Sequence, residues 1–302
     1  MDKLQQLTVF RRVVETGNIT RAARDLGLSQ PSVSRHVAEL EHRLGVPLLL
    51  RSSHGLAPTE AGNSFYAETV RILDALDEAE SSVRNGAQAL AGTIRVACSA
   101  AFFTRVVMRW IPGFLAANPE VTLEARLDDR QIDLVEEGVD LAIRIGPIRQ
   151  QSLIARRIGR VDFGLFAAPS YAERHPLPET PEQLADHEIC ILVTGPQPDT
   201  LLLEGPDGRS VSVPVHGRFR ASSIDATQIA VQDGLGIGLL SRWRVGEQVA
   251  TGSLIRVLPD WRAEPRDVNL VWPGSRVLPR RVRAFVDLLV ERAAAEPRLQ
   301  AR

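Results

Sequence analysis

Residues 18–40 constrain the fold of this chain more than any other stretch. Their sequence, NITRAARDLGLSQPSVSRHVAEL, places two runs of helical periodicity on either side of Gly27. Thr20 is positioned to cap the first helix and Ser29 the second, where Pro31 occupies a first turn that tolerates proline. Glycine favours the left-handed turn that ends a helix. The stretch therefore predicts two short helices joined by a tight turn, a helix-turn-helix.

The polar face of the second helix indicates what this motif contacts. Gln30, Ser32, Ser34 and Arg35 crowd its N-terminal half, which is the end that enters the major groove in DNA-binding motifs of this kind. Gln and Arg side chains suit adenine and guanine edges, and serine hydroxyls suit phosphate. An ordinary helical hairpin with a solvated polar face explains the same residues, so the motif alone leaves both interpretations open.

A short hairpin follows the two helices. Gly45 ends the second helix, residues 47–50 predict a short apolar strand, and Arg51 and His54 follow it. The chain then reaches Thr59, which is placed to cap a further helix. The pattern predicts a wing beside the helices that can hold Arg51 and His54 against a sugar–phosphate backbone.

Residues 4–62 resemble the DNA-binding domain of the LysR-type transcriptional regulators. The similarity is ungapped and lies in Leu4-Gln5-Gln6-Leu7, Gly17, Ala22-Ala23, Leu26, Ser29 to Ser34, Leu40-Glu41, Leu44-Gly45, Leu48-Leu49, Arg51 and Pro58 to Gly62. The resemblance implies base contacts from the second helix and backbone or minor-groove contacts from the wing. Together, motif and resemblance select as DNA-binding residues Thr20, Arg21, Ser29, Gln30, Pro31, Ser32, Ser34, Arg35, Arg51, Ser53 and His54.

Charge is divided unevenly along the chain. The 302 residues carry a net charge of −1. Residues 1–58 hold eight Lys and Arg against five Asp and Glu, a net of +3, whereas residues 59–91 hold two against six, a net of −4. A basic surplus confined to the predicted DNA-binding segment fits duplex DNA as the partner.

Composition also bears on compartment and redox chemistry. No run of about 20 apolar residues predicts a membrane span, and the first residues, MDKLQQL, lack the pattern of an export signal. The sequence therefore predicts a cytoplasmic protein without a membrane partner. Cys98 and Cys190 lie far apart in apolar runs, which predicts buried reduced thiols, and their spacing gives no support to a thiol switch.

Residues 59–85 contain no proline and predict one long helix. A heptad seam runs along it at Phe65, Thr69, Ile72, Leu76, Ala79 and Val83. Packing of this seam on the chain's own domain is one explanation. We favour pairing of two chains through Phe65, Ile72, Leu76 and Val83. The reason is that acidic residues, Asp74 among them, would place the other faces of the helix in solvent. The resemblance implies an antiparallel helix pair in a homodimer, with a homotetramer as a further assembly.

Beyond the small residues 86–92, strands and helices alternate, which predicts an α/β fold with a largely parallel sheet. The expected strands are 93–98, 121–127, 140–145, 163–168, 188–193, 218–222, 237–240 and 268–272. The expected helices are 104–117, 131–137, 225–232 and 279–294.

The predicted organisation is an α/β chain with an N-terminal all-α winged helix-turn-helix. That domain covers residues 1–59, a linker and dimerisation helix with a hinge covers 60–91, and a two-lobed effector-binding domain of periplasmic-binding-protein type covers 92–302. Lobe I comprises 92–161 and 267–302, and lobe II comprises 162–266. Two lobes crossed twice by the chain would leave a cleft that opens and closes.

Several turns are candidate ligand-binding positions in that cleft. In open α/β sheets ligands bind beyond the carboxyl ends of strands, often at a helix N-terminus. The candidates are Ser99, Ala100, Ala101 and Phe102 after one strand, Ser222 and Ser223 after another, and Arg144 and Gly146 at the end of a third. Helix capping alone explains the serines. The resemblance implies that such positions hold an effector, commonly a small organic acid.

Enzyme motifs are missing from the sequence. It has no Gly-x-Ser-x-Gly elbow, no paired histidines at metal spacing and no phosphate-binding loop. We therefore predict no catalytic residue, no metal site and no cofactor.

The favoured interpretation is a sequence-specific DNA-binding transcriptional regulator of LysR type, modulated by a small anionic organic effector. Its expected partners are double-stranded DNA with a near-palindromic operator, the effector, further copies of itself and RNA polymerase. The alternatives are a solute-binding protein, which the second domain alone suggests, and an α/β enzyme with an incidental helical hairpin.

Overall fold

The computed structural model describes residues 2–52, 55–84, 90–130, 132–135, 137–148, 150–193, 198–274 and 278–300. Within the helices and strands it leaves the side chains of residues 51, 52, 77, 78 and 81–84 undescribed. The described chain forms a helical N-terminal domain, one long helix and a mixed α/β domain.

Three helices and a hairpin build the N-terminal domain. The helices are α1 (Lys3–Thr16), α2 (Ile19–Leu26) and α3 (Gln30–Leu44), and the strands β1 (Leu49–Ser52) and β2 (Gly55–Pro58) pair antiparallel as the wing. All three helices contribute to its core, which contains Val9, Val13, Ala22, Ala23, Val33 and Val37. The winged helix-turn-helix prediction is confirmed.

Caps and glycines set the boundaries of these helices. Gly27 ends α2 with φ at 66°, and the Ser29 hydroxyl accepts a first-turn backbone N–H of α3, both as predicted. The prediction that Thr20 caps α2 is wrong. Asn18 caps the helix instead, because its side-chain oxygen accepts the N–H of Arg21 at 3.0 Å, and an amide oxygen serves as well as a hydroxyl.

The long helix α4 (Glu60–Arg84) packs on the N-terminal domain over its first half. The Thr59 hydroxyl accepts the N–H of Gly62 at 2.9 Å, which confirms the predicted cap. A Cβ on Gly62 would lie 2.0 Å from the carbonyl oxygen that precedes β1, so only glycine fits there. Phe65 packs on Phe10 with ring centroids 5.5 Å apart. Phe65 therefore belongs to the core of its own domain.

The predicted heptad seam is divided between two faces of α4. Thr69 is fully buried within the chain, whereas Ile72 is 48% exposed and Leu76 is half-buried. The exposed Ala75 and Ala79 lie on the same side of the helix as Ile72. The last predicted seam residue, Val83, has a side chain that the structure does not describe. An apolar stripe centred on Ile72 thus faces outwards.

A mixed sheet forms the centre of the second domain. Its strands are β3 (Ala91–Cys98), β4 (Glu120–Leu127), β5 (Leu141–Ile145), β6 (Leu153–Ala167), β7 (Ile189–Leu192), β8 (Thr200–Glu204), β9 (Ser210–Pro214), β10 (Arg220–Ala221), β11 (Ile237–Ser241), β12 (Ile255–Val257) and β13 (Arg262–Pro273). The strand order is β10-β7-β11-β6-β13-β5-β3-β4, with β12 beside β6 and the β8–β9 hairpin beside β13. Every predicted strand is present, and β8, β9 and β12 were not predicted.

Helices cover the sheet. A helical run from 100 to 117 consists of α5 (Ala100–Phe102), a π-helical turn (Phe103–Val107), a 3₁₀ turn (Met108–Trp110) and α6 (Ile111–Ala117). The other helices are α7 (Pro169–Ala172), α8 (Ile224–Gln232), α9 (Arg242–Ala250) and α10 (Arg280–Ala294). The run at 100–117 is long and apolar enough by composition to span a membrane, but in this fold its apolar side chains pack into the core of the domain.

The helix predicted at 131–137 is wrong for the residues described there. The chain makes a single turn, in which the N–H of Glu137 bonds to the carbonyl of Asp133. Gly138 follows with φ at 61°, and the N–H of Val139 bonds back to the carbonyl of Leu134 at 2.9 Å. This pattern is the normal end of a helix. The helix therefore ends after a single turn.

The long strands β6 and β13 divide the sheet into two halves. The first half contains β3, β4 and β5, and the second contains β7, β10 and β11. Val161 in β6 lies directly opposite Arg266 in β13, beside a register shift between Ala263 and Arg266. Separate hydrophobic clusters lie on either side of this point, one containing Ile94 and another containing Leu165. The chain therefore passes between the two halves of the sheet only where β6 and β13 pair, among the described residues.

Asp74 on α4 joins the two domains. Its carboxylate lies 2.7 Å from Nη1 of Arg95 in β3, 3.5 Å from Nη2 of Arg281 in α10 and 3.6 Å from Nη1 of Arg11 in α1. We call these four residues the Asp74 cluster. The Asp74 side chain is only 8% exposed, so the prediction that it faces solvent is wrong, and the reason is that three elements supply guanidinium groups around it.

Replacing Asp74 by Asn should destabilise the protein by about 3–5 kcal/mol, because buried guanidinium groups would lose a shared counter-charge. Urea unfolding of the full-length protein measures this change. Glu68→Gln on the same helix is the control, since the exposed Glu68–Arg71 pair should contribute less than about 1 kcal/mol. Equal losses for the two variants would show that the Asp74 cluster does not hold the domains together.

Candidate nucleic-acid interface and ligand cleft

The N-terminal half of α3 is the exposed edge of the helix-turn-helix. Val33 and Val37 bury the opposite side of the helix in the core. The predicted DNA-contacting residues of α3 lie on the outer side, with Gln30, Pro31 and Arg35 exposed and Ser32 and Ser34 half-buried. Ser29 is exposed at the cap. The predicted recognition edge is therefore free of its own subunit.

Arginines without ion-pair partners gather on this surface. Among the described residues, Arg21 and Arg24 of α2 and Arg35 of α3 are exposed and form no salt bridge. Other arginines of the domain bind side chains within the protein: Arg11, Arg12 and Arg43. Arg21, Arg24 and the exposed Thr20 also line a cavity of about 510 Å³ between α2 and the wing. Free positive charge thus lies beside the α3 edge, as contact with phosphates requires.

Glu41 anchors the wing to α3. Its Oε1 accepts the N–H groups of Leu48 at 2.7 Å and Leu49 at 3.0 Å. The wing is therefore held next to the recognition helix. Of the predicted wing contacts, the Arg51 side chain is not described, and Ser53 and His54 lie outside the described residues.

The turn after β3 brings predicted ligand residues to the boundary between the two halves of the sheet. Ser99 precedes α5 and makes no capping bond with its side chain. Ala100 and Ala101 follow, and Phe102 meets Trp243 of α9 edge to face, with ring centroids 6.0 Å apart. The first half therefore contacts the second half at this turn.

The N-terminus of α8 is already occupied. Ser223 caps it by accepting the N–H of Ala226 at 3.3 Å, and Ser222 is exposed beside it. The N–H of Ile224 donates to Oδ2 of Asp129, which comes from the turn after β4 in the opposite half, at 2.9 Å. Asp129 was not among the predicted ligand residues, although an acidic pair at the end of the predicted strand 121–127 was a usable signal. An anion bound at α8 would meet this carboxylate.

Arg144 is not brought to the cleft. It is 7% exposed, and its guanidinium donates to the carbonyl of Ile132 at 2.6 Å and to Oε1 of Gln150 at 3.1 Å. Burial lowers its pKa. Its hydrogen bonds hold the segments on either side of β5 in place.

Arg266 lies at the crossing of β6 and β13, next to Gly146. Its guanidinium is 4.8 Å from the ring centroid of Phe163. Gly146, with φ at 102°, donates its N–H to the carbonyl of Asp267 at 2.9 Å. Because β13, β5 and β3 are neighbours, their pairing brings Arg266, Gly146 and Ser99 to the same edge of the sheet. Arg266 is thus a cation at the crossing between the two halves that was not predicted from the sequence.

Arg244 on α9 is a second cation that sequence analysis missed, because α9 was not predicted. It is 4% exposed. Its Nε and Nη2 donate to Oε1 of Gln228 at 3.1 and 2.8 Å, and Nη2 also binds the carboxylate of Asp225. Burial lowers its pKa, and the charge of Asp225 acts in the opposite direction. Both partners lie in α8, so Arg244 ties α9 to α8.

Comparison with known families decides between the three interpretations. Residues 4–63 match the family described as bacterial regulatory helix-turn-helix protein, lysR family, and residues 87–294 match the LysR substrate binding domain. The chain belongs to the LysR family of transcriptional regulators. LysR regulators bind DNA through the helix-turn-helix, bind small-molecule effectors and form oligomers.

Similar proteins agree with this assignment along the whole chain. An HTH-type transcriptional repressor of Pseudomonas aeruginosa is 32% identical and covers 99% of this chain and 95% of its own length. The full-length virulence activator AphB of Vibrio cholerae is 31% identical, with a TM-score of 0.60 over 96% of this chain and 99% of AphB. CrgA of Neisseria meningitidis is 29% identical, with a TM-score of 0.60 over 96% and 98% of the two chains. The regulator interpretation is confirmed, and the relatives are regulators, not enzymes.

Both cysteines of this LysR-type regulator are buried and free. Burial raises the pKa of the Cys98 thiol well above its ordinary value and raises that of Cys190 to about 11. A raised pKa leaves a thiol protonated at neutral pH, and the protonated form is a poor nucleophile.

Neither thiol should react with a thiol-specific reagent in the native protein at neutral pH, and both should react after unfolding in urea. Absorbance of the released chromophore measures both states, with the unfolded protein as the control. Rapid stoichiometric labelling of the native protein would show that a cysteine is accessible as thiolate.

Proposed function

We propose that this LysR-type regulator reads a near-palindromic operator through the edge of α3, with Gln30, Pro31, Ser34 and Arg35 at the bases. Thr20, Arg21, Ser29, Ser32 and the wing residues Arg51, Ser53 and His54 contact the sugar–phosphate backbone. The main support is that the α3 edge is exposed beside free arginines. An Arg side chain can form two hydrogen bonds to one guanine, and a Gln side chain can form two to one adenine. Such paired hydrogen bonds give sequence specificity.

We infer that two copies of the chain associate through α4. Its outer face is an apolar stripe of Ile72, Ala75, Leu76 and Ala79, which a soluble monomer would leave in water. We propose that the association also includes the predicted position Val83, whereas Phe65, also predicted, packs within its own domain. A two-fold pair presents two α3 edges to two half-sites. Dimers can pair again into a tetramer.

The effector is proposed to bind between the two halves of the sheet, near Ser99, Ala100, Ala101, Phe102, Gly146, Ser222 and Ser223. Structural support comes from two contacts between the halves, Phe102 with Trp243 of α9 and Asp129 with Ile224 of α8. Arg144, also predicted, serves the scaffold around β5. We propose a small organic effector that carries an anionic group, since Arg244 and Arg266 lie at this boundary.

We propose the following division of the chain, which these contacts support. Residues 1–59 bind DNA, 60–91 link and dimerise, and 92–302 bind effector, with lobe I at 92–161 and 267–302 and lobe II at 162–266. Arg95 of the Asp74 cluster lies in β3, whose carboxyl end leads to Ser99. Movement of the lobes is therefore passed to α4 and changes the spacing of the paired α3 helices. The protein would act in the cytoplasm, where it meets operator DNA and RNA polymerase.

Arg35→Ala should weaken operator binding by about 1–3 kcal/mol and relax base preference at one position of each half-site. Genomic mapping of bound sites supplies the operator, and binding titrations on it and on single-base variants measure the loss. Arg21→Ala is the matched control, because loss of a phosphate contact should weaken binding to all sequences about equally and reduce the slope of log affinity against log salt concentration by about 1. Unchanged footprints and affinity for Arg35→Ala would refute the proposed edge.

Ile72→Glu should convert the dimer to a monomer, since two charges would be buried together in the apolar stripe. Light scattering of the full-length protein in solution measures the mass directly. Leu202→Glu is the control, because Leu202 is similarly exposed, at 53%, but lies in the β8–β9 hairpin. A dimer that survives Ile72→Glu would exclude the outer face of α4 as the contact.

A further inference from the structure

Three buried polar atoms at the boundary between the two halves have no hydrogen-bond partner among the described residues. They are Oδ1 of Asp129, Nη1 of Arg244 and Nε1 of Trp243. The first is an acceptor with negative charge, and the other two are donors, one of them positively charged. A buried polar group that lacks a partner costs free energy, so such groups mark places where something binds.

The same two turns of α8 fix the two charged groups. Oδ2 of Asp129 accepts the N–H of Ile224, the first residue of α8. Arg244 binds Asp225, the next residue, and Gln228, one turn further. Since one helical turn advances by roughly 5.4 Å, Asp129 and Arg244 are both held at the first turns of α8. Trp243 precedes Arg244 in the chain and packs on Phe102 from the other half.

We propose that the effector is a zwitterion of the α-amino acid class. Its ammonium group donates to Oδ1 of Asp129, and its carboxylate accepts from Nη1 of Arg244 and from Nε1 of Trp243. This assignment rests on the proposed function, since it names the chemical class of the effector in the proposed cleft. It makes Asp129 the residue that determines specificity.

Asp129 explains why a simple anion fits this cleft poorly. A carboxylate that bound at the N-terminus of α8 would have to displace Oδ2 of Asp129 from the N–H of Ile224, or lie against it with like charge. A cation alone would leave Arg244 and Trp243 unsatisfied. A zwitterion satisfies both charges and leaves the Asp129–Ile224 hydrogen bond in place, so the two halves stay joined around it.

The test compares three ligand classes on the full-length protein by isothermal titration calorimetry. The probes are the proteinogenic L-amino acids and, for any that binds, the matched acid without the amino group and the matched amine without the carboxylate. At least one amino acid should bind, and both truncated analogues should bind roughly tenfold more weakly or worse, since each loses a hydrogen bond to a charged group.

Asp129→Asn should reverse the preference between the amino acid and its deaminated acid. The Asn amide still accepts the N–H of Ile224 but replaces the anionic oxygen with an N–H donor. The amino acid should then bind about tenfold more weakly, and the deaminated acid at least as tightly as to the wild type. Asp128→Asn is the matched control, because this neighbouring carboxylate is exposed and pairs with Arg130 at 3.2 Å; it should leave the ranking unchanged.

Two results would overturn the assignment. One is binding of deaminated acids to the wild type as tightly as amino acids, in which case the proposed effector cleft stands and only the zwitterion fails. The other is no binding of any amino acid, while operator binding by the same protein still tests the regulator function independently. If Asp129→Asn does not fold, the wild-type comparison of the three ligand classes decides by itself.

Discussion

One buried carboxylate holds the architecture of this regulator together. Asp74 lies on the long helix, yet its partners Arg11, Arg95 and Arg281 come from the DNA-binding domain and from two elements of the effector-binding domain. Burying several guanidinium groups is costly unless a counter-charge lies close by. The Asp74 cluster therefore requires all three elements in place at once, and it sets where the DNA-binding domain lies relative to the sheet.

The same cluster would connect the proposed ligand cleft to the DNA-binding domain. β3 holds Arg95 in its middle and leads at its carboxyl end to Ser99, so one strand reaches from the cleft to α4. A ligand shifts a conformational equilibrium only if it binds one arrangement better than another. A ligand that binds beside the contacts between the halves, such as Asp129 with Ile224 and Phe102 with Trp243, would favour the arrangement in which those contacts form.

Local signals in the sequence were sufficient for the helix-turn-helix and for eight of the eleven strands of the described sheet. Gly27 and Ser29 act within a few residues of themselves, so their roles are readable from the chain. Asp74 and Asp129 were misjudged or missed because their partners come from distant elements, and an acidic residue on a helix or after a strand normally faces water. The predicted helix at 131–137 was wrong for a different reason. The residue pattern indicated a helix, but Gly138 ends it after one turn.

Occupation of the N-terminus of α8 by Asp129 changes what ligand recognition must achieve in the proposed cleft. A helix N-terminus attracts an anion, and sequence analysis expected the effector to supply it. Because the protein supplies its own carboxylate there, a ligand gains little from the helix and must gain its affinity from groups that are still free. Those groups carry both signs of charge, so discrimination depends on matching a donor and an acceptor together, and a molecule that offers only one of them leaves a buried charge unpaired.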